Sequence, residues 1–87
     1  MAEGDTVLVV SPGDGEIAVA LDVLGPDGTV VVVDASSDRL EQLQAACADP
    51  RVSYLIGDGD VLPIPDASVD VVVGEVAPAE VERVKRR

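Results

Sequence analysis

The stretch from Thr6 to Asp34 constrains the fold more than any other part of the chain. An apolar run, Thr6–Val10, passes directly into the turn SPGDG, with glycines at Gly13 and Gly15. Ile17, Ala20, Leu21 and Leu24 then recur at helical spacing, and Gly25-Pro26 followed by Asp27-Gly28 stops the helix and turns the chain back. A second apolar run, Thr29–Val33, ends in the acid Asp34. Strand, glycine turn, helix and second strand with a terminal acid is the layout of a nucleotide-binding βαβ unit. The turn lets a ligand approach the backbone, and the acid is placed to take ribose hydroxyls.

Two further apolar runs, Val52–Ile56 and Val69–Val73, complete a set of four. All are continuous rather than alternating, as expected of parallel strands covered on both faces. Ser36 or Ser37 can cap a second helix with Leu40, Leu43 and Cys47 as its buried stripe, ended by Asp49-Pro50. Residues 58–68 carry Pro63 and Pro65, show no helical period and read as an irregular crossover. Pro78 suits the first turn of a last helix that has Val81 and Val84 on one side. Right-handed crossovers place strands one, two and three in sequence, and the fourth returns beside strand one. The expectation is a Rossmann-like α/β fold: one open parallel sheet of four strands, order 3-2-1-4, with two to three helices and a ligand crevice at the carboxyl ends of strands one and four. The first two helices then cover the same face. The other face receives only a loop and a short helix, and strand four is left as an exposed, valine-rich edge.

Eighty-seven residues make one small domain with a marginal core, although the hydrophobic content is 47%. Its one aromatic residue, Tyr54, is expected on a strand with its hydroxyl in solvent, so ring stacking on a ligand is nearly excluded. The net charge is −11, and it is unevenly spread: residues 1–82 hold all 17 acids against Arg39 and Arg51, whereas residues 83–87 carry Arg83, Lys85, Arg86 and Arg87. So acidic a body repels nucleic acid and anionic membrane. The basic tail reads as a solvated helix end, and the excess of Asp over Lys suits a high-salt cytoplasm. Cys47 is the only cysteine and is expected in the core, so an intramolecular disulfide is excluded. No histidine is present, which removes imidazole bases, histidine metal ligands and Ser-His or Cys-His catalysis. No signal peptide and no apolar run of bilayer length is seen, which points to the cytoplasm.

The turn itself discriminates between ligands. A dinucleotide fingerprint G-x-G-x-x-G wants glycines at 11, 13 and 16, and here Ser11, Gly13 and Glu16 give one match. A G-x-G-x-G turn matches at Gly13 and Gly15, and no G-x-x-x-x-G-K phosphate loop is present. Asp14 and Glu16 would repel a pyrophosphate. Asp14, Asp34, Asp58 and Asp60 can gather at one sheet edge, but they lack tight ligand spacing, and no metal is expected. Each feature also has a plain structural reading: turn glycines, a loop or capping acid at Asp34, and a solvated turn at Asp58-Gly59-Asp60.

The chain resembles the class I S-adenosylmethionine-dependent methyltransferases, particularly the small-molecule and quinone-biosynthesis group. VLVVSPGDG, VVVVDASSDRL and VSYLIGDGDVLPIPDASVDVVV carry the resemblance, which runs from about Asp5 to Gly74. It implies S-adenosylmethionine as cofactor, held by Ser11, Gly13, Gly15, Asp34, Ala35, Asp58 and Gly59. Gly13 and Gly15 would lie against the methionine part, Asp34 would bind both ribose hydroxyls, and Asp58 would face the adenine amino group with the Gly59 backbone beside it. The sequence departs from the family in four ways. Val9 stands where an acid is usual, Ser11 replaces the first glycine, aromatics near Ile64 and Val69 are missing, and the later strands that help build the substrate pocket have no counterpart. The chain thus reads as a cofactor-binding half-domain. Two functions follow: methyl transfer to a small molecule, as a homodimer or with a protein partner on the exposed edge, or a non-catalytic relic that senses the cofactor or mediates association.

Overall fold

The computed structural model describes residues 3–13 and 15–86. The elements run β1 (Thr6–Val10), α1 (Glu16–Leu24), β2 (Thr29–Asp34), α2 (Ser37–Ala46), β3 (Val52–Ile56), β4 (Val71–Val73) and α3 (Pro78–Val84). The four strands form one sheet in the order β3-β2-β1-β4, with every pairing parallel. Fold class and strand order are those expected from the sequence.

Burial explains why the strands are continuous apolar runs. β1 lies in the sheet interior, and its alternate residues feed two different cores. Val7 and Val9 join Ile17, Ala20, Leu21 and Leu24 of α1, Val30 and Val32 of β2, and Leu40 of α2. Leu8 and Val10 join Val33, Leu62, Val69 and Val84 on the opposite face. Each fully buried aliphatic side chain contributes roughly 1.5–3 kcal/mol, so a strand with two buried faces has no position to spare for a polar residue. Val9, where the resemblance implies an acid, is 1% exposed and lies inside the core. As expected, both long helices cover one face, while α3 and the 61–69 loop cover the other.

The helix ends follow local chemistry. Ser36 caps α2, its hydroxyl accepting the Arg39 N–H at 3.2 Å. Gly15 at the start of α1 has φ +78° and Gly25 at its end has φ +71°, left-handed conformations that glycine adopts without a Cβ penalty. Arg51 closes α1 from outside: its Nη1 donates to the Gly25 carbonyl at 2.7 Å, and its Nη2 pairs with Asp49 at 2.7 Å. That guanidinium, by hydrogen bonding, lowers the Asp49 carboxyl to about 2.

Three local expectations are corrected. The Tyr54 hydroxyl does not reach out to water; it donates to the Cys47 carbonyl at 2.6 Å and so satisfies the C-terminus of α2. Burial, followed by the Cys47 contacts, pushes its pKa up. Cys47 itself is only partly buried, at the rim of the core. Within the basic tail, whose Arg87 lies outside the described residues, Arg83 and Arg86 are paired rather than free in solvent. Arg83 pairs with Glu80 at 2.6 Å and Asp66 at 2.9 Å and donates to the Ile64 and Leu62 carbonyls, pinning the proline-containing crossover. Arg86 pairs with Asp70 at 3.2 Å.

Strand four is shorter than expected. Its ladder to β1 begins at Val7↔Val71, because the Asp70 carboxylate takes the Thr6 N–H at 2.8 Å where the sheet would otherwise continue. Val69, fully packed on the lower core, pairs in parallel with Lys85 instead. The valines of β4 are half-buried, Val71 and Val73 against one core and Val72 against the other. Among the described residues no helix is long and apolar enough to cross a membrane.

Candidate functional site

The strands β1, β2, β3 and β4 all end at one side of the sheet, and the loops that follow them meet there. A cavity of about 420 Å³ opens between these loops, lined by Val10, Ser11, Ala35, Gly57, Asp58, Gly59, Gly74 and Glu75. A second depression continues from it along Asp60, Val76 and Ala77. Ligands of open α/β sheets bind at this position, outside the carboxyl ends of the strands where the strand order reverses.

Four of the residues singled out from sequence, Ser11, Ala35, Asp58 and Gly59, line this cavity together. Gly13 and Gly15 are exposed and are not among the lining residues; Asp14 falls outside the described residues. Asp34 sits one residue before Ala35, at the end of β2, and is 5% exposed. Gly57, Gly74 and Glu75 were not found from sequence. Gly57 and Gly74 carry a retrievable signal, each being a glycine directly after an apolar run.

Close backbone packing explains why glycines surround the cavity. A Cβ at Gly74, whose φ is +110°, would lie 2.4 Å from the Val10 carbonyl oxygen. Gly59 is equally confined by the Glu75 backbone, and its own carbonyl accepts the Ala77 N–H at 2.8 Å. The cavity walls after β3 and β4 are therefore locked to each other. Ser11 has φ +49°, a left-handed conformation at the place where the resemblance implies glycine.

The carboxylates behave differently from one another. Asp58 is exposed, and its Oδ1 accepts the N–H groups of Asp60 and Val61 at 2.9 and 3.0 Å, which shapes the turn. Asp34 uses Oδ1 to accept the Ser36 N–H at 2.9 Å. Its Oδ2 is fully buried and has no hydrogen bond, although the Arg39 Nε lies 2.9 Å away. The contact is an ion pair off the N–H axis, so an acceptor position on a buried carboxylate is left unfilled. Such a position carries an energetic penalty that a donor would relieve. A hydroxyl-bearing ligand fits this chemistry, and the acids around the cavity suit one that is cationic. Among the described residues no three acidic or thiol side chains gather as metal ligands.

Comparison with known proteins defines the class. The family model described as "Methyltransferase domain" matches residues 7–86. The chain belongs to this methyltransferase family, class I and S-adenosylmethionine-dependent. It is 33% identical over 69 residues to the ubiquinone/menaquinone biosynthesis C-methyltransferase of Dinoroseobacter shibae, a match covering 75% of this chain and 28% of that protein. A SAM-dependent methyltransferase from Aquifex aeolicus superposes with a TM-score of 0.76 at 25% identity, covering 98% of this chain and 53% of that one. A chain from the complex between the Haloferax volcanii Trm112 methyltransferase activator and the putative methyltransferase gives a TM-score of 0.80 at 31% identity, covering 99% and 42%. The chain thus spans less than a third of the curated relative and about half of these solved chains.

Proposed function

We propose that the chain binds S-adenosylmethionine in the cavity at the carboxyl ends of the strands, and that in the cytoplasm it transfers the methyl group to a small molecule together with a second polypeptide, either another copy or a different protein. The observation that carries this reading is the buried Asp34 carboxylate with an unfilled acceptor, next to a cavity lined by Ser11, Ala35, Asp58 and Gly59. Asp34 would hold the ribose hydroxyls, Asp58 and the Gly59 backbone would take the adenine, and the turn at Gly13 and Gly15 would carry the methionine end. The bound cofactor supplies an activated methyl on a sulfonium. Methyl displacement needs alignment more than a strong base, so a chain without histidine is not disqualified. The acidic lining favours a cationic ligand. Membership in the family supports the choice of cofactor, and the Haloferax volcanii complex lends support to a protein partner.

A second reading is a non-catalytic module that senses the cofactor or associates through its edge. The aliphatic Val9, buried where the resemblance implies an acid, favours it. An NMR titration of labelled protein with S-adenosylmethionine, using NAD as control, tests the binding shared by both readings. Saturable shifts at Gly13, Gly15, Asp34 and Asp58 with the first ligand alone are expected, and Asp34→Ala should lose most of the affinity. Unchanged affinity in that variant would remove the central assignment. Methyl transfer by the purified chain, alone or with added partner, separates the enzyme from the sensor.

A further inference from the structure

Arg39, in the first turn of α2, bridges the two sequence features from which the site is built. Its Nε stands 2.9 Å from Oδ2 of Asp34, and its Nη2 donates to the carbonyl of Pro12 in the turn after β1. The Asp34 side chain is 7% exposed and that of Arg39 is 46% exposed. One end of the pair is therefore buried in the protein, while the other, held also by the Pro12 carbonyl, stands half in water. A buried carboxylate needs a counter-charge, and Arg39 provides one without filling the acceptor position on Oδ2. That oxygen is sealed from solvent, its accessible surface below 1 Å², with the half-exposed Arg39 guanidinium 2.9 Å from it. A ligand hydroxyl reaches Oδ2 only after a group packed against it has moved.

We infer that Arg39 is a latch: an intramolecular occupant of the Asp34 carboxylate that must move aside before a ribose diol binds, so that diol binding is gated by ionic strength. This rests on the reading that Asp34 takes the ribose hydroxyls. The guanidinium end of the pair is 46% exposed, so water and added salt reach it and weaken its hold. Without the latch, the ligand no longer competes with that pairing.

The test uses adenosine as a neutral probe, which senses no long-range field, with 2′,3′-dideoxyadenosine as the control lacking the diol. At low salt, Arg39→Met is expected to bind adenosine about two- to fivefold tighter than the wild type and to bind dideoxyadenosine equally. Added NaCl is expected to raise the wild-type affinity for adenosine toward that of the variant, which itself stays flat. Adenosine binding that is equal or weaker in Arg39→Met, while the diol is still preferred, overturns the latch and leaves the role of Asp34 standing. Equal binding of the two nucleosides by the wild type and by Arg39→Met overturns the reading of Asp34, and with it the latch, as does the absence of adenosine binding throughout. If Arg39→Met does not fold, the Arg39 Nε–H resonance of the ligand-free wild type, compared with that of Asp34→Asn, decides whether the pair exists. A shift is expected, and an unmoved resonance overturns the latch.

Discussion

A Cβ atom at Gly59 would lie 2.3 Å from the carbonyl oxygen of Glu75. The two residues belong to loops that follow different strands, β3 and β4, and each contributes a wall of the same cavity. The glycine is thus needed for packing of backbone on backbone, whatever ligand enters. Its neighbours cannot yield cheaply, because the Glu75 carbonyl carbon and the Val76 Cα would also lie 3.3 Å from the added atom. Gly59→Ala is expected to cost about 1–3 kcal/mol, as overpacking does. It should also push the β4 loop outward and weaken nucleoside binding. Urea denaturation and a binding isotherm on the same variant check both effects; an unchanged midpoint would mean that the loops are not locked together.

Ser11 presents the opposite case. A non-glycine residue in the left-handed region carries a penalty of roughly 1–2 kcal/mol, and Ser11 sits there with φ +49°. Glycine removes that strain, but it loses about 0.4–1 kcal/mol through the greater freedom of the unfolded chain. Ser11→Gly is expected to stabilise by on the order of 0.5 kcal/mol, read as a higher denaturation midpoint at unchanged slope. A lower midpoint would mean that the serine hydroxyl contributes a contact that outweighs the strain.

Strand order and helix placement were legible because they depend on long-range patterning: four apolar runs, turn glycines and right-handed crossovers leave few arrangements. The cavity position followed from the same pattern, whereas Ser11, Ala35, Asp58 and Gly59, which line it, came from the family resemblance. What escaped was set by polar side chains reaching across the fold. Nothing in the local sequence tells that Arg83 will collect the Leu62 and Ile64 carbonyls, that the Asp70 carboxylate will end a strand by taking the Thr6 N–H, or that Tyr54 will bond the end of α2. Arg39 escaped for the same reason: five positions from Asp34 in sequence, it looks like an ordinary helix-surface cation.

Acid should unfold the protein partly through Glu80. Hydrogen bonds from Arg83, followed by one from the Leu62 N–H, hold its carboxyl at about 2, below the ordinary value of 4.5. A depressed folded-state value means that the unfolded chain takes up the proton first. The contribution is therefore complete above the ordinary value and is lost as pH falls from about 4.5 to about 2. Asp49, held at about 2 against 3.8 by Arg51, adds to the same limb. Melting temperature followed from pH 7 to pH 2 should fall over this window, and Glu80→Gln should flatten part of the fall while lowering stability at neutral pH. An acid limb identical in the variant would remove Glu80 from the cause.

Salt should act in the opposite direction on the whole molecule. With a net charge of −11 on 87 residues, unscreened repulsion opposes the compact state. At about 1 M salt the Debye length shrinks to roughly 3 Å, so most repulsive pairs are silenced. The attractive pairs are screened as well, but surface ones such as Arg86–Asp70 contribute little individually, and a pair on a buried carboxylate such as Asp34 is screened less. The net effect is therefore stabilising. For a domain of this size each 1 kcal/mol raises the melting temperature by about 4–8 °C. A rise of several degrees between about 0.05 and 1 M NaCl is the expected scale, measured by calorimetry at pH 7. A flat or falling curve would show that the ion pairs anchored on Arg39, Arg51, Arg83 and Arg86 outweigh the repulsion of the acidic body, and would count against adaptation of this chain to a high-salt cytoplasm.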